Sequence, residues 1–318
     1  MHALVIDNGT LRWQERDQPT PGPGQLLVRV ASAGINGADL LQLRGLYPAP
    51  EGVPEDIPGL EFAGTVVERG HGSTRFAVGD HVMGLVGGGA QAEMVVADEH
   101  STVGVPDGTD MGTAGGFMEA YVTAFDAVFV QAEAKIGETL LINGAAGGVG
   151  IAAIRLALAA GLRVVGTVRT AATTDRITTM FPGAPLRVVE AGSLDGDDAY
   201  ADICLELVGA SNLRTDIKSL RRGGRIVLIG AGSGAKTELN ILQLMGKRGR
   251  IHGSTLRSQS AQERSALIAS FTHSVLPLFE DGRLPVTIEQ SFAVADGVAA
   301  YELFRNGGKI GKIVLVSQ

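Results

Sequence analysis

The residues from Thr139 to Ala160 form the pattern in this chain that most directly predicts chemistry. An apolar run, Thr139 to Ile142, is followed by Asn143 and the small-residue run Gly144-Ala145-Ala146-Gly147-Gly148-Val149-Gly150, and then by a helical pattern. Small residues let the backbone turn sharply and approach a ligand, and the N-terminus of the next helix favours an anion. With a second strand predicted at Arg163 to Val168, the stretch has the size of a βαβ unit that binds a dinucleotide pyrophosphate. Ala145 replaces the first glycine of the usual fingerprint, so the flanking strand and helix carry most of this prediction.

The end of the second strand indicates which nicotinamide cofactor binds. Folds that bind NAD usually place a carboxylate about 20 residues beyond the glycine turn, where it holds the ribose 2′-hydroxyl. That place falls at Thr167, in Gly166-Thr167-Val168-Arg169-Thr170, so an arginine follows where an acid is missing. A carboxylate would repel a 2′-phosphate, whereas Arg169 with Thr167 or Thr170 could bind one. The pattern favours NADPH, and the alternative is that Arg169 is only a solvated loop residue.

Composition excludes several classes of function. The chain has 318 residues, enough for two domains, and its 45% apolar and 19% charged content is typical of a globular protein. A net charge of -7 argues against nucleic acid or an acidic membrane as a partner. The single cysteine, Cys204, excludes a disulfide framework and a multi-cysteine zinc site. No apolar run has transmembrane length and no signal-peptide pattern is present, so we expect a cytoplasmic protein.

The chain changes character twice along its length. Short β-like runs separated by Gly- and Pro-rich turns fill the first part and predict a β-rich, barrel-like domain. A helical pattern from Ala114 to Lys135 then leads into alternating strands and helices, which predict a doubly wound parallel sheet. A helix predicted from Ala261 to Phe279 and short strands after it resemble the first part again. We therefore predict a dinucleotide-binding domain at 120–258, inserted into a domain formed by residues 1–119 and 259–318.

A series of motifs outside the glycine turn resembles a known family. The motifs are Pro21 to Val30, Gly34 to Leu40, Arg44 to Pro48, Pro58 to Gly64 and Gly253 to Arg257. In this order and spacing they resemble the medium-chain dehydrogenase/reductase superfamily, in its zinc-independent quinone oxidoreductase branch, along essentially the whole chain. The resemblance implies a Rossmann doubly wound domain with a GroES-like β-rich domain wrapped around it. It also implies hydride transfer from NADPH to a quinone.

Two departures from the zinc-dependent relatives predict that no metal is bound. In zinc alcohol dehydrogenases a cysteine occupies the place of Asn36 and a histidine the place of Leu60, and neither residue present here is a plausible zinc ligand. The histidines of this chain are scattered without ligand spacing. Without a Lewis acid, alcohol oxidation loses its main catalytic device. Quinones and α,β-unsaturated carbonyls accept a hydride with less assistance and are the expected substrates.

The resemblance also implies which residues contact the ligands. Tyr47 and Asn36 are the candidates at the reacting centre, although Tyr47 could simply pack and Asn36 could simply cap the following helix. Thr123 matches a threonine near the nicotinamide, with an ordinary helix residue as the alternative. With Thr167 and Arg169 from the second strand, the full set of expected cofactor contacts is Asn36, Tyr47, Thr123, Ala146, Gly147, Gly148, Val149, Thr167, Arg169, Ile229, Gly230, Ala231, Gly232, Gly253, Ser254 and Thr255.

Other functions and one assembly state remain compatible with these patterns. The same site could reduce an α,β-unsaturated carbonyl or an enoyl thioester, and the chain could instead be an NADPH-binding protein with a sensing or structural role. The resemblance implies a homodimer formed near Arg250 to Thr255, at an edge strand. Gln91 stands where the family usually has an aromatic residue, which leaves the shape of the substrate wall open.

Overall fold

The computed structural model describes residues 1–194 and 199–317, which divide into two compact units. The first unit consists of Met1–Ala120 together with Arg257–Gln318, and the second is Tyr121–Leu256. The first unit is therefore built from both ends of the chain, whereas the second is one continuous segment. Among the described residues, no helix combines the length and the apolar character needed to cross a membrane.

The strands and helices follow one another in three stretches. Residues 1–120 hold β1 (His2–Asp7), β2 (Thr10–Glu15), β3 (Gln25–Ile35), α1 (Gly37–Leu43), β4 (Glu61–Arg69), β5 (His81–Leu85), β6 (Met94–Asp98), β7 (Thr102–Gly104) and α2 (Met111–Ala114). Next come α3 (Met118–Phe125) with a π-helical turn (Asp126–Gln131), β8 (Thr139–Asn143), α4 (Gly148–Ala159), β9 (Arg163–Val168), α5 (Ala171–Met180), β10 (Leu186–Glu190), β11 (Ala201–Glu206), α6 (Leu213–Ser219), β12 (Leu220–Leu228), α7 (Ile241–Lys247) and β13 (Arg250–Gly253). The chain ends with α8 (Ala261–Ser274), α9 (Leu276–Glu280), β14 (Ile288–Ala293), α10 (Gly297–Asn306) and β15 (Lys312–Val316), and short 3₁₀ turns lie at Glu99–Ser101, Leu256–Ser258 and Val294–Asp296.

The second unit contains a six-stranded sheet in the order β10-β9-β8-β11-β12-β13. Every neighbouring pair in it is parallel. All five residues of β8 are buried, as expected for a central strand of a parallel sheet that is covered on both faces. The strand order reverses between β8 and β11, and such a switch point is where open α/β sheets bind ligands. The predicted doubly wound parallel sheet is confirmed.

The first unit contains a seven-stranded sheet in the order β14-β15-β3-β4-β5-β7, with β6 paired to β3 as well. Its pairs are antiparallel except for β14 and β15. Alternate residues of β3 and its neighbours form one apolar core, which includes Leu26, Val28, Val30, Phe62 and Val82. Strand β3 pairs with β4, which precedes the second unit in the chain, and with β15, which follows it. The predicted β-rich domain is confirmed.

One local prediction needs correction, and one local turn was not predicted. The helix predicted from Ala261 to Phe279 is broken at Val275 into α8 and α9. Pro277 explains the break, because proline has no N–H to donate to the preceding turn and its ring collides with the carbonyl four residues earlier. The N-terminal hairpin of β1 and β2 turns at Asn8 and Gly9, with φ of 49° and 77°, which is the signature of a two-residue hairpin turn.

Candidate active site

The predicted glycine turn lies at the carboxyl end of β8, at the switch point of the parallel sheet. Gly144 has a φ of 84°, which favours glycine. A Cβ atom on Gly150 would lie 2.6 Å from the carbonyl oxygen of Ala145, so the helix can approach the turn this closely only with glycine there. A Cβ atom on Gly147 would meet only Gly144 O, at 3.7 Å. The turn is therefore tight on its inner side and open at the helix N-terminus.

This arrangement fits the pyrophosphate of a dinucleotide. The residues Ala146, Gly147, Gly148 and Val149 are each partly exposed where the 12-residue helix α4 begins. The first amides of a helix have no partner inside the helix, and its dipole adds partial positive charge at that end. Both effects favour a phosphate. The turn is held in place from the neighbouring strand, since Thr167 O accepts from Gly144 N at 3.2 Å and from Ala145 N at 3.0 Å.

The other predicted cofactor segments of the second unit share the edge of the sheet with this turn. Ile229–Gly232 follows β12, and Gly253–Thr255 ends β13 and continues beyond it. Because all strands of this sheet are parallel, their carboxyl ends lie along one edge. Ser254 is fixed by its hydroxyl, which donates to Asp126 Oδ2 at 2.8 Å. Thr123 lies on α3, where it is buried, and this helix continues into the π-helical turn that contains Asp126.

The residues expected to bind a 2′-phosphate differ in how accessible they are. Arg169 is exposed directly after β9. Thr170 caps α5, and its hydroxyl accepts from Thr173 N. Thr167 is only 5% exposed, and its hydroxyl donates to Asn143 Oδ1 at 2.9 Å. Thr167 supports the turn from within the sheet and Thr170 begins α5, whereas Arg169 is the exposed cation of the three residues.

A buried polar network that the sequence did not reveal lies behind the switch point. Asn143, the last residue of β8, donates from Nδ2 to Glu206 Oε2 at 2.7 Å and to Asp216 Oδ1 at 2.6 Å. Glu206, which is fully buried at the end of β11, accepts through Oε1 from Val208 N at 2.5 Å and Gly209 N at 2.7 Å. The network thus fixes the loop after β11 beside the glycine turn. Burial, and next the charge of Glu206, raise the pKa of Asp216 to about 8.

A second buried network lies in the first unit, around the ammonium group of Lys312. Its Nζ donates to Glu61 Oε1 at 2.5 Å, to Asn36 Oδ1 at 2.6 Å and to Ile35 O at 3.1 Å. The Lys312 and Glu61 side chains are 4% and 0% exposed. Three acceptors satisfy the three N–H groups of the ammonium, so this buried charge is both paired and hydrogen-bonded.

The amide of Asn36 belongs to this network. Asn36 Nδ2 donates to Glu61 Oε1 at 3.0 Å, while its oxygen accepts from Lys312. Its backbone N–H donates to Asp39 Oδ2 at 2.7 Å, at the start of α1. Asn36 therefore links β3, β4 and β15. It is also the N-cap residue of α1, so it has the capping role that was its alternative interpretation.

The residues at this place do not fit a zinc ion. Asn36 offers an amide oxygen that already accepts from Lys312, and Leu60 is a buried apolar side chain. Zinc sites are built from thiolate, imidazole or carboxylate ligands. Among the described residues, no group of three or more His, Cys, Asp or Glu side chains is arranged to hold a metal. The cation of this cluster is the lysine ammonium.

Asp39 and Gln91 extend the network further into the core of the first unit. Asp39 Oδ1 accepts from Gly59 N at 3.1 Å, and Asp39 Oδ2 accepts from Gln91 Nε2 at 3.4 Å. Gln91 Oε1 accepts from the Tyr301 hydroxyl at 2.8 Å. Burial raises the pKa of Asp39 to about 6. Gln91, which replaces the usual aromatic residue, is fully buried and bridges α1 to α10.

Glu119 has a carboxyl group whose pKa is raised more than that of Asp39. Its backbone N–H donates to Glu61 Oε2 at 2.9 Å, and the residue is partly exposed in the first turn of α3. Burial raises the pKa of its carboxyl group to about 8, with a further rise from the negative charge of Glu61. Lys312 and Arg257 oppose this rise.

Tyr47 is held in place by Arg257. The guanidinium carbon lies 4.0 Å from the centre of the Tyr47 ring, a cation–π geometry. Arg257 Nη1 donates to Tyr47 O and to Pro48 O, each at 2.9 Å, and Nη2 donates to Gln42 Oε1 at 3.1 Å. The arginine thus fastens the segment around Tyr47 to α1.

Sequence reasoning did not find Glu61, Glu119 or Lys312, nor Asn143 and Glu206 in the second unit. A sequence signal was present for three of these residues. Glu61, Asn143 and Glu206 are polar residues next to apolar strand runs, where a buried polar side chain needs a partner. The identity of the partner was not readable, because Lys312 is 251 positions from Glu61.

Comparison with known proteins matches both parts of the chain to described families. Residues 22–132 match the alcohol dehydrogenase GroES-like domain, and residues 148–272 match the zinc-binding dehydrogenase family. The quinone oxidoreductase of Rattus norvegicus is 28% identical over 306 residues, which are 94% of this chain and 91% of that protein.

Two solved structures share the fold over nearly the full length. The quinone oxidoreductase of Pseudomonas syringae has a TM-score of 0.87 at 26% identity and covers 99% of this chain and all of its own. A mycobacterial protein whose structure is complexed with NADPH has a TM-score of 0.87 at 24% identity, over 99% of this chain and all of its own.

We expect Asp216→Asn to reduce the pH dependence of stability. The folded protein holds a proton on Asp216 up to about pH 8, whereas an unfolded chain releases it near pH 4. The free energy of unfolding therefore falls as pH rises through this interval, by at most about 1.4 kcal/mol per pH unit for this group. Asparagine cannot ionise, so the variant should show a shallower fall when urea unfolding is followed across the interval.

A matched control for this variant is Asp107→Asn, at an exposed aspartate of the first unit. It should leave the slope of stability against pH as in the wild type. Equal slopes for Asp216→Asn and the wild type would show that Asp216 is not the group that holds the proton.

Proposed function

Because the chain belongs to the medium-chain dehydrogenase/reductase superfamily, in its zeta-crystallin-like quinone oxidoreductase branch, we propose that it reduces quinones with NADPH and without a metal. The observation that carries the metal-free part is the Lys312 ammonium, which is bound between Asn36 and Glu61. Because Asn36 Oδ1 and Glu61 Oε1 already accept hydrogen bonds from this ammonium group, they do not form a zinc site. The chemistry that remains is reduction of acceptors that are already electron-poor.

The second unit holds the cofactor in this proposal. The amides from Ala146 to Val149 bind the pyrophosphate, and Arg169 binds the 2′-phosphate. Ile229–Gly232, Gly253–Thr255 and Thr123 line the remainder, in accordance with the family resemblance. When bound, reduced nicotinamide supplies the hydride from its C4 atom.

The first unit binds the acceptor. Tyr47 is the residue that contacts it, and Arg257 holds the Tyr47 backbone so that the phenol is positioned before the acceptor arrives. Asn36 acts as a positioning residue, since its amide joins Lys312 to Glu61.

Stopped-flow mixing of NADPH with a panel of acceptors tests this function. We expect oxidation of NADPH by 1,2-naphthoquinone, 9,10-phenanthrenequinone or a simple benzoquinone, without loss of rate after treatment with a metal chelator. Absence of oxidation with every acceptor would contradict the proposal. Tight NADPH binding without turnover would instead support the alternative of a sensing or structural protein.

A second candidate function, reduction of α,β-unsaturated carbonyls or enoyl thioesters, is favoured by one observation. Reduction of a conjugated carbonyl ends with protonation of an enolate, and burial raises the pKa of the Glu119 carboxyl group in the first unit to about 8. A panel of 2-alkenals and enoyl-CoA compounds, compared with quinones by kcat/KM, separates the two.

We expect Arg169→Ala to weaken NADPH binding more than NADH binding. Removing the guanidinium costs a charge-assisted hydrogen bond to the 2′-phosphate, worth about 1.5–3 kcal/mol, or roughly 10- to 100-fold in Kd. NADH has no such phosphate and should bind almost unchanged. Quenching of protein fluorescence by each cofactor measures both constants.

The control for this variant is Arg187→Ala, at an exposed arginine on β10. It should change neither constant beyond a few-fold. An equal loss of NADPH and NADH affinity in Arg169→Ala would remove Arg169 from the phosphate site.

The homodimer implied by the resemblance is supported by an exposed apolar face. Leu242 and Met245 on α7 are 79% and 65% exposed, and α7 leads into β13, the edge strand of the six-stranded sheet among the described residues. In a dimer, β13 of one copy would pair with β13 of the other, and the apolar face of α7 would be covered. The cytoplasmic location expected from the sequence stays a prediction.

We expect Leu242→Glu to convert a dimer into a monomer. Light scattering coupled to size-exclusion chromatography should give about twice 32.9 kDa for the wild type and about 32.9 kDa for the variant. Ile136→Glu is the control, since Ile136 is 87% exposed but lies away from α7 and β13 in the sequence. A wild-type mass of one chain would contradict the dimer.

A further inference from the structure

Two buried carboxyl groups lie behind the candidate cofactor turn, and the proposed ligand contacts do not include them. Glu206 Oε2 and Asp216 Oδ1 accept hydrogen bonds from the same atom, Asn143 Nδ2, at 2.7 and 2.6 Å. The two acidic residues are 0% and 1% exposed. Burial raises the pKa of Asp216, and the neighbours that also shift it are Glu206, Asn143 and Cys204, none of which is a cation. Two carboxylates this close in a buried place repel each other, so the pair favours one shared proton.

Glu206 is bonded to two backbone segments at the carboxyl edge of the sheet. Its Oε1 accepts from Val208 N at 2.5 Å and from Gly209 N at 2.7 Å, in the loop after β11. Its backbone oxygen accepts from Ile229 N at 3.0 Å and from Gly230 N at 3.1 Å, in the loop after β12. Ile229 and Gly230 belong to the candidate cofactor residues. The position of Glu206 therefore affects the backbone of one candidate cofactor segment directly.

The glycine turn is joined to the same cluster. Asn143 directly precedes Gly144, and a Cβ atom on Gly144 would lie 3.1 Å from Val208 Cγ2. The backbone oxygen of Asn143 accepts from Leu207 N at 3.2 Å. Its side-chain oxygen accepts from the Thr167 hydroxyl at 2.9 Å. A displacement of the carboxyl pair is therefore transmitted to the turn through Asn143 and through the loop after β11.

We propose that Glu206 and Asp216 position the glycine turn for the dinucleotide while they share one proton, and that loss of this proton to water weakens binding of the cofactor. The inference rests on the proposed function. A second negative charge pushes the two carboxyl groups apart, and Asn143 and the loop after β11 move with them. The same charge lies behind a turn that binds a pyrophosphate, so it also opposes the anion. The shared proton and the bound cofactor consequently stabilise each other.

The other titratable groups that face Asp216 ionise outside the interval in which this pair does. The pKa of Asp216 is about 8, raised by burial and next by the charge of its acidic neighbour. Burial raises the pKa of Cys204 on β11 well above its ordinary value, and burial also raises the pKa of Tyr200, which precedes β11. On α7, the Lys247 ammonium group donates to Lys218 O at 2.9 Å. A loss of affinity near pH 8 therefore reports the carboxyl pair.

The test is calorimetric titration of the full-length wild type with NADPH, at intervals from about pH 7 to about pH 10. We expect Kd to be constant below about pH 8 and to rise above it by up to about tenfold per pH unit, because one proton is linked to binding. Binding above about pH 8 should take up as much as one proton, which is read from the dependence of the heat on the ionisation enthalpy of the buffer. NADH, which lacks the 2′-phosphate, should show the same dependence on pH.

Two variants and a control assign the effect. Asp216→Asn cannot ionise, so the rise in Kd and the uptake of a proton should both be absent. Glu206→Gln removes the charge that holds the loop after β11, so Kd should be about 10-fold higher below pH 8, with no proton taken up. Asp107→Asn, at an exposed aspartate of the first unit, should behave as the wild type does.

The outcomes separate this inference from the proposed function. A wild-type Kd that stays constant above pH 8, or an unchanged rise in Asp216→Asn, would overturn the role of the pair and leave the oxidoreductase function in place. A rise with NADPH but not with NADH would assign the effect to the 2′-phosphate and overturn it as well. Urea unfolding at each pH measures the folded fraction, and an affinity that only follows this fraction would show that the pair stabilises the fold without positioning the turn. A wild type that binds neither cofactor at any pH would overturn both conclusions.

Discussion

The ion pair between Lys312 and Glu61 is the interaction on which the arrangement of the first unit depends. It joins β15 to β4 across 251 positions of sequence, and Asn36 on the end of β3 completes it. Removing one partner from such a buried pair typically costs about 3–5 kcal/mol, because the remaining charge has no compensation. Even the backbone is adapted to it, since a Cβ atom on Gly34 would lie 2.2 Å from Glu61 Oε1. The glycine in the motif that precedes Asn36 is thus required by an ion pair.

Each of the two units contains a buried carboxylate that is bound by an asparagine amide. In each, a buried carboxylate accepts backbone or side-chain hydrogen bonds at the end of a strand: Glu61 in the first unit and Glu206 in the second. In each, an asparagine amide holds that carboxylate, from Asn36 and from Asn143. A satisfied buried network of this kind is rigid, because any displacement leaves a polar group without a partner. The backbone segments next to these strands are therefore held in position by buried polar groups.

What the sequence predicted well was local. The run from Thr139 through Gly150 specifies strand, turn and helix through neighbouring residues, and the structure places it at the switch point of a parallel sheet. The pair Asn8-Gly9 is an equally local signal, typical of a two-residue hairpin turn. The long-range partners escaped for a physical reason, since nothing near Glu61 in sequence specifies a lysine in the last strand. The same limit applies to Thr167, whose type suggested a phosphate contact but whose hydroxyl is turned towards Asn143.

The division of the first unit between the two ends of the chain also sets an order of events during synthesis. The residues 121–256 are complete when the ribosome still has about 56 residues to add before Lys312, which takes roughly 3–11 s at about 5–20 residues per second. The parallel-sheet unit is continuous and can fold in that time, but β3 has no β15 to pair with and Glu61 has no ammonium beside it. Until Lys312 is added, the nascent β-rich segment has an unpaired edge at β3 and a Glu61 carboxylate without its cation. Synthesis of β15 then pairs the open edge of β3 and brings the Lys312 ammonium to Glu61. A chain that stops short of Lys312 would therefore expose an unpaired strand edge, which is prone to aggregation.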